Sequence, residues 1–224
     1  MNPKPVILFD NDGILVDTEP LWIEANVQTF AAVGHPITRD FYLDYNLTQG
    51  KGLVHYLPEQ GFSPEQIQAA CDARDDLYYK WVENGFELLP GVYDTLVKIK
   101  QSGQYQMGIV TAAEAQFFEP IHQHTGVLEL MDFVVMNEDV VRTKPYPDPY
   151  LLGLEKAGVT ADQAIVVEDS PRGVAAAAAA GITNIYAIPT EATANGDFTA
   201  AKKRLGFFGD LVGELLWNIL TLKH

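Results

Sequence analysis

The sequence predicts an α/β fold, a doubly wound parallel sheet interrupted by a helical subdomain. Short apolar runs rich in Val and Ile recur without polar alternation, the pattern of strands buried on both faces. Helical patterns separate these runs, as the crossovers of a parallel sheet require. One gap, between the first run and the second, extends over residues 10–106 and is too long for a single crossover.

Val6-Ile7-Leu8-Phe9 makes the first strand and stops at Asp10. Most of the following segment has no strand-like run. It reads as helices broken at Gly34-His35-Pro36, Gly50-Lys51-Gly52 and Gly61-Phe62-Ser63-Pro64. The α/β core is therefore expected over residues 1–17 and 89–224, and a helical subdomain over 18–88. Hinges are expected near Asp17–Pro20 and Asn84–Gly91, where Gly, Pro and polar residues gather.

A helical pattern from Val92 to Ser102 precedes the second strand, Met107-Gly108-Ile109-Val110, which ends at Thr111. The third, Phe133-Val134-Val135-Met136, ends at Asn137, and a helix from Pro147 to Ala157 precedes the fourth. That fourth strand, Ala164-Ile165-Val166-Val167, runs into Glu168-Asp169. Ser170 and Pro171 then suit an N-cap and first helical turn, Ala175 to Ala180 a helix body, and Gly181 its C-terminal stop. Asn184-Ile185-Tyr186-Ala187-Ile188 makes a fifth strand ending at Pro189, and Phe207 to Leu222 reads as a closing amphipathic helix.

Composition narrows the function. With 47% hydrophobic and 20% charged residues, the chain can bury a core. Fifteen Lys+Arg against 30 Asp+Glu give a formal charge of −15, which opposes nucleic-acid binding and an anionic membrane surface. The one cysteine, Cys71, excludes an internal disulfide framework and a cysteine-based zinc site. Only four apolar residues lie between Met1-Asn2-Pro3-Lys4-Pro5 and Asp10, too few for a signal segment or a span. A cytoplasmic monomer acting on a small molecule, with neither nucleic acid nor membrane as partner, is expected.

In an open parallel sheet, ligands bind beyond the carboxyl ends of the strands. Asp10, Thr111, Asn137 and Glu168-Asp169 all stand there. In Asp10-Asn11-Asp12-Gly13, continued strand geometry would point both carboxylates the same way. Such a pair can bind Mg²⁺, or divide nucleophilic attack and proton transfer between its members. Lys144-Pro145 with Pro147-Asp148-Pro149 sets a cation in a stiff loop, able to face a dianion. Each piece alone also fits something plainer: a solvated acidic turn, a surface lysine, or acids complementing a helix dipole.

Order and spacing bind the pieces together. Val6 to Pro20, VILFDNDGILVDTEP, resembles the first motif of the haloacid dehalogenase-like superfamily. Thr111 resembles its second motif, Lys144-Pro145 its third, and Val166 to Gly173 its fourth. The likeness spans residues 5–190, with the helical insert where that family carries a cap domain. It implies that Asp10 attacks a phosphate ester to form an aspartyl-phosphate, and that Asp12 serves as acid and then base. It implies Mg²⁺ held by Asp10, the backbone carbonyl of Asp12 and Asp169, with Glu168 a direct or water-mediated partner. Thr111 and the Ala112 N–H would cradle phosphoryl oxygens, and Lys144 would neutralise charge. Two positions depart from the pattern. Ile14 stands where the family often has Thr, and Asn11 where an apolar residue is common, though the Asn11 N–H can still serve the phosphate.

The same resemblance orders the reactions. Asp12 disfavours the dehalogenase and phosphonate-cleaving branches, which lack that acid. The rival is a β-phosphoglucomutase, which would need a cap histidine twelve residues after the nucleophile, where this chain has Trp22. Glu19-Pro20-Leu21-Trp22 looks instead like phosphatases of sugars and sugar alcohols, with Trp22 facing substrate or packing the cap. Thr48-Gln49-Gly50-Lys51-Gly52 resembles the specificity loop, so Gly50 and Lys51, with Glu19, are candidate substrate contacts. A plain turn with a solvated lysine fits that loop too. His35 and His55 are expected to be surface or packing residues. A catalytically silent phosphate-ester-binding protein, or a partner-binding protein using its acidic surface, remains as another class.

Overall fold

Every residue of β1 (Val6–Phe9) is fully buried, because the strand lies inside a sheet covered on both faces. The computed structural model describes residues 3–48 and 51–221. β2 (Gln106–Val110), β3 (Phe133–Val135), β4 (Ala164–Glu168), β5 (Asn184–Ala187) and β6 (Lys203–Arg204) complete the sheet. Its order is β3-β2-β1-β4-β5-β6, and every pairing is parallel. The chain winds outward from β1 through β2 and β3, then returns to pair β4 against the other edge of β1. Strand order therefore reverses between β1 and β4, the place where open parallel sheets take their ligands, beyond the carboxyl ends. Phe9 pairs in register with Ile109 and Val167, so Asp10, Thr111 and Glu168 stand close to that edge.

The chain divides into two compact units, Thr18–Asn84 and Met1–Asp17 with Gly85–His224. The first holds α1 (Glu19–Ala32), α2 (Arg39–Leu43), a π-helical turn at Asp44–Thr48, α3 (Leu53–Glu59) and α4 (Pro64–Val82). The interruptions follow local chemistry. Gly34 and Gly61 take left-handed φ values of 86° and 85°, which side-chain-bearing residues rarely adopt. Ser63 caps α4 by accepting from the Gln66 N–H at 3.3 Å, while Gln66 Oε1 accepts from the Ser63 N–H at 2.9 Å. Phe30, Leu53 and Leu57 close the small core of this unit.

In the other unit, residue alternation along the strands feeds two layers. Ile7, Phe9, Ile109 and Val167 pack with α5 (Val92–Ser102), Phe118 of α6 (Ala115–His122) and α9 (Asp210–Thr221). Val6, Leu8, Val110 and Val166 pack with α7 (Asp148–Ala157) and α8 (Pro171–Ala179). Small residues permit close approach, since a Cβ at Gly153 of α7 would stand 3.2 Å from Leu8 Cδ1. Ser170 caps α8 through the Gly173 N–H at 3.2 Å, and Gly181 lies just past its end at φ 85°.

The closing helix starts later than its apolar pattern suggests. Asp210 Oδ2 accepts from the N–H groups of Gly206 and Phe207, holding Phe207 in the preceding turn, 58% exposed. Leu222, assigned to that helix from the pattern, lies outside the described residues. No helix among the described residues is long and apolar enough to cross a membrane.

Candidate active site

β1 ends at Phe9, and the next residues turn instead of extending. The Asn11 carbonyl accepts from the N–H groups of Ile14, Leu15 and Val16, the shortest bond being 2.7 Å to Leu15. Beyond Phe9 the strand geometry that would align Asp10 with Asp12 thus gives way to a turn. Asp10 is buried, whereas Asp12 is half-buried in the turn. Gly13 is needed here on two counts. Its φ is 79°, and a Cβ would meet Asp169 Oδ2 at 2.5 Å.

Lys144 sits in the turn closed by the Tyr146 N–H on the Thr143 carbonyl at 3.0 Å, precedes α7, and is joined to Pro145 by a cis peptide bond. Arg142 and Asp148 bracket it with a bidentate ion pair at 2.9 and 3.1 Å. Buried Lys144 Nζ donates to Asp10 Oδ1 at 2.8 Å, Val110 O at 2.8 Å and Glu168 Oε1 at 2.6 Å. Burial works against the ammonium, but Asp10 and Glu168 overcome it and hold the pKa above the ordinary lysine value. Tyr150 of α7 donates to the same Glu168 oxygen at 2.6 Å. Glu168 Oε2 accepts from the Ser170 N–H at 3.3 Å and the Ser170 hydroxyl at 3.0 Å. Each oxygen of this fully buried carboxylate thus takes two donors. Gly173 completes the seat, since a Cβ there would overlap the Glu168 carboxylate.

Asp10, Glu168 and Asp169, all buried, present ligand oxygens within 4.8 Å of one another. Burial first, then the charge of Glu168, pushes the Asp10 carboxyl up to about 7 against the pull of Lys144. Three carboxylates cluster here, and the Lys144 ammonium pairs with two of them, Asp10 and Glu168. A divalent cation, which favours oxygen ligands, balances the surplus, so the residues present fit a divalent metal. Asp169 is braced from its main chain, whose carbonyl accepts from buried Thr193 Oγ1 at 2.7 Å.

Thr111 directly follows β2 and is 1% exposed, its Oγ1 accepting from the Ala113 N–H at 3.0 Å. That bond leaves the hydroxyl proton for a ligand. Half-buried Ala112 follows it at the same edge.

Two polar residues that the sequence reading gave no role lie in the same unit: Tyr150, described above, and His122. His122 Nε2 lies 2.7 Å from Asn11 Oδ1, and its Nδ1 lies 3.1 Å from Thr125 Oγ1. A carboxamide oxygen only accepts, so Nε2 carries the proton. Burial pushes the imidazole pKa down to about 4. The folded state thus resists a proton that the unfolded chain takes up near pH 6.5. This contribution to stability is present above pH 6.5 and lost as pH falls towards 4, up to about 3 kcal/mol. Denaturation midpoints measured across that window should fall less steeply in His122→Gln than in the parent. The comparison separates the histidine from carboxylates titrating in the same range.

In the helical unit, the face of Trp22 is occupied by Arg74 at 4.4 Å, and Tyr78 meets its ring edge-on at 5.0 Å. Glu19 opens α1 and is half-buried. Lys51 Nζ lies 5.4 Å from the centre of the Tyr45 ring, and Asn46 donates to the Lys51 carbonyl at 3.0 Å. Gly50 lies outside the described residues. His35 packs edge-on against Phe62, and His55 Nδ1 accepts from the Gly52 N–H at 3.1 Å, so both serve local structure.

Residues 7–187 match the family model for haloacid dehalogenase-like hydrolases. The chain belongs to this family. Among relatives of this hydrolase, "Phosphorylated carbohydrates phosphatase" of Thermotoga maritima is 31% identical over 81% of the chain and 84% of its own length. Hexitol phosphatase B of Escherichia coli K12 is 28% identical over 95% of the chain and 97% of its own length. The crystal structure of CbbY from Rhodobacter sphaeroides in complex with xylulose-(1,5)bisphosphate superposes with a TM-score of 0.79. It is 27% identical and covers 93% of this chain and 96% of its own.

Proposed function

We propose that this hydrolase is a Mg²⁺-dependent phosphatase of a small phosphorylated sugar or sugar alcohol, working through an aspartyl-phosphate on Asp10. The observation that carries the reading is the buried Asp10–Lys144 pair at 2.8 Å, set where strand order reverses. Phosphatases of phosphorylated carbohydrates and of hexitol phosphates among the relatives support the substrate class.

Asp10 attacks phosphorus and the ester P–O bond breaks, while Asp12 gives a proton to the departing sugar oxygen. Water then attacks the phosphorus of the aspartyl-phosphate, Asp12 takes its proton, and the Asp10 carboxylate is released. Thr111 Oγ and the N–H groups of Asn11 and Ala112 donate to the phosphoryl oxygens. Lys144 keeps positive charge fixed beside the reacting oxygen, where such preorganised groups contribute most. Asp10, Asp169 and the Asp12 carbonyl would hold Mg²⁺, which when bound supplies further positive charge to the phosphoryl group. Glu168, with both oxygens already accepting donors, orients Lys144 and would complete the charge around the ion directly or through water.

Glu19, Trp22, Gly50 and Lys51 are proposed to tune the choice of substrate. Trp22 also argues against a mutase, since an indole cannot accept a proton from a sugar hydroxyl. The test is to supply β-glucose 1-phosphate with a trace of the 1,6-bisphosphate, and in parallel a panel of hexose and hexitol phosphates. Phosphorus NMR should show inorganic phosphate in a Mg²⁺-dependent reaction that a chelator stops reversibly. Dominant glucose 6-phosphate with little free phosphate would promote the mutase. Undiminished hydrolysis in excess chelator would remove the metal from the scheme.

A further inference from the structure

We infer that His122 is a positioning residue for phosphoryl transfer, holding the Asn11 side chain and through it the peptide between Asp10 and Asp12. This rests on the roles proposed above for those two aspartates. The contact joins residues far apart in sequence, and both are buried, Asn11 at 0% and His122 at 3% exposure. Asn11 Nδ2 has no partner, so the bond to His122 is the one side-chain anchor of Asn11 among the described residues.

The main chain of Asn11 already carries the turn of the nucleophile loop, its carbonyl accepting from three successive N–H groups. The carbonyl ties the loop forward to Val16, and the carboxamide ties it sideways to α6. His122 is itself held. The single hydroxyl proton of Thr125 is shared between the His122 Nδ1, 3.1 Å from Thr125 Oγ1, and the His122 carbonyl at 3.3 Å, and Phe118 packs on the imidazole with ring centres 4.7 Å apart. Both ring nitrogens are engaged, so the imidazole is a strut and exchanges no proton with substrate. Its effect passes through Asn11, whose N–H faces the phosphoryl group in the scheme above. Freeing that peptide loosens the attacking carboxylate on one side and the acid–base carboxylate on the other.

The test uses steady-state hydrolysis of p-nitrophenyl phosphate with Mg²⁺, alongside thermal melts. His122→Phe keeps the ring volume and removes the donor. It should lower kcat about tenfold, part of the roughly hundredfold that a 1 Å misplacement can cost, with KM within about twofold. His122→Gln, whose amide N–H has a similar reach, should restore kcat to within about threefold of the parent. A residue acting only through stability would shift the melting temperature of both variants and leave kcat below the melt unchanged. If His122→Phe does not fold, Asn11→Ala carries the test by removing the acceptor. It should lose kcat by a similar factor, and its combination with His122→Gln should lose no more. Parental kcat in His122→Phe or Asn11→Ala overturns the inference, as does a Gln variant as slow as Phe, or multiplying losses in the double variant. An inactive parent enzyme would instead overturn the phosphatase reading itself.

Discussion

In Asp10→Asn, turnover of p-nitrophenyl phosphate is expected to fall to the buffer background, a loss of about four orders of magnitude or more. The carboxamide fills the same volume at the end of β1 but has no anionic oxygen with which to open the ester. Its oxygen can still accept from Lys144 Nζ, which stands 2.8 Å from Asp10 Oδ1, so the fold should survive. The substitution even removes one of the three carboxylates clustered at the site. Melting at or above the parental temperature alongside abolished turnover would therefore mark Asp10 as the attacking group. Rapid quench with a phosphorus-labelled ester should trap acid-stable phosphoprotein in the parent and none in the variant. Turnover within tenfold of the parent would remove Asp10 from the role.

The reach of sequence reasoning ended where pairing became non-local. Val6–Phe9, Met107–Val110 and Ala164–Val167 were legible as buried strands because composition within a few residues decides that. Their polar terminal residues then named most of the site, since a parallel sheet delivers strand ends to one edge. The short β6 was not legible, because its two residues are exposed and carry no apolar signal. The relation of Asp10 to Asp12 is not legible from strand periodicity, which stops at Phe9 once the Asn11 carbonyl captures three N–H groups. Tyr150 reads as one more core aromatic on α7, and only the fold puts its hydroxyl on Glu168. His122 is hidden likewise. Nothing near it in the chain announces that a buried carboxamide from β1's exit needs its N–H.

Lys144→Met should cost both rate and stability. The substitution keeps much of the side-chain volume while removing three donated hydrogen bonds, to Asp10, Glu168 and the Val110 carbonyl. Water replaces the lost donors poorly, for Lys144 is 4% exposed and Glu168 is fully buried. Breaking one side of a buried ion pair costs about 3–5 kcal/mol, because the remaining charge is left without a counter-charge. Tyr150 and Ser170 still bond Glu168, which places the expected loss towards the lower end of that range. For the reaction, charge accumulating on the transferring phosphoryl loses a cation that needs no reorganisation, a loss of about 10²–10³ in kcat. Arginine should not rescue it. The three acceptors surround a compact ammonium, and a planar guanidinium needs width that a filled site lacks. Urea denaturation with linear extrapolation gives the first quantity, and kcat measured well below the unfolding midpoint gives the second. Parental turnover in a folded Lys144→Met protein would leave Asp10 without the electrostatic partner that the geometry gives it.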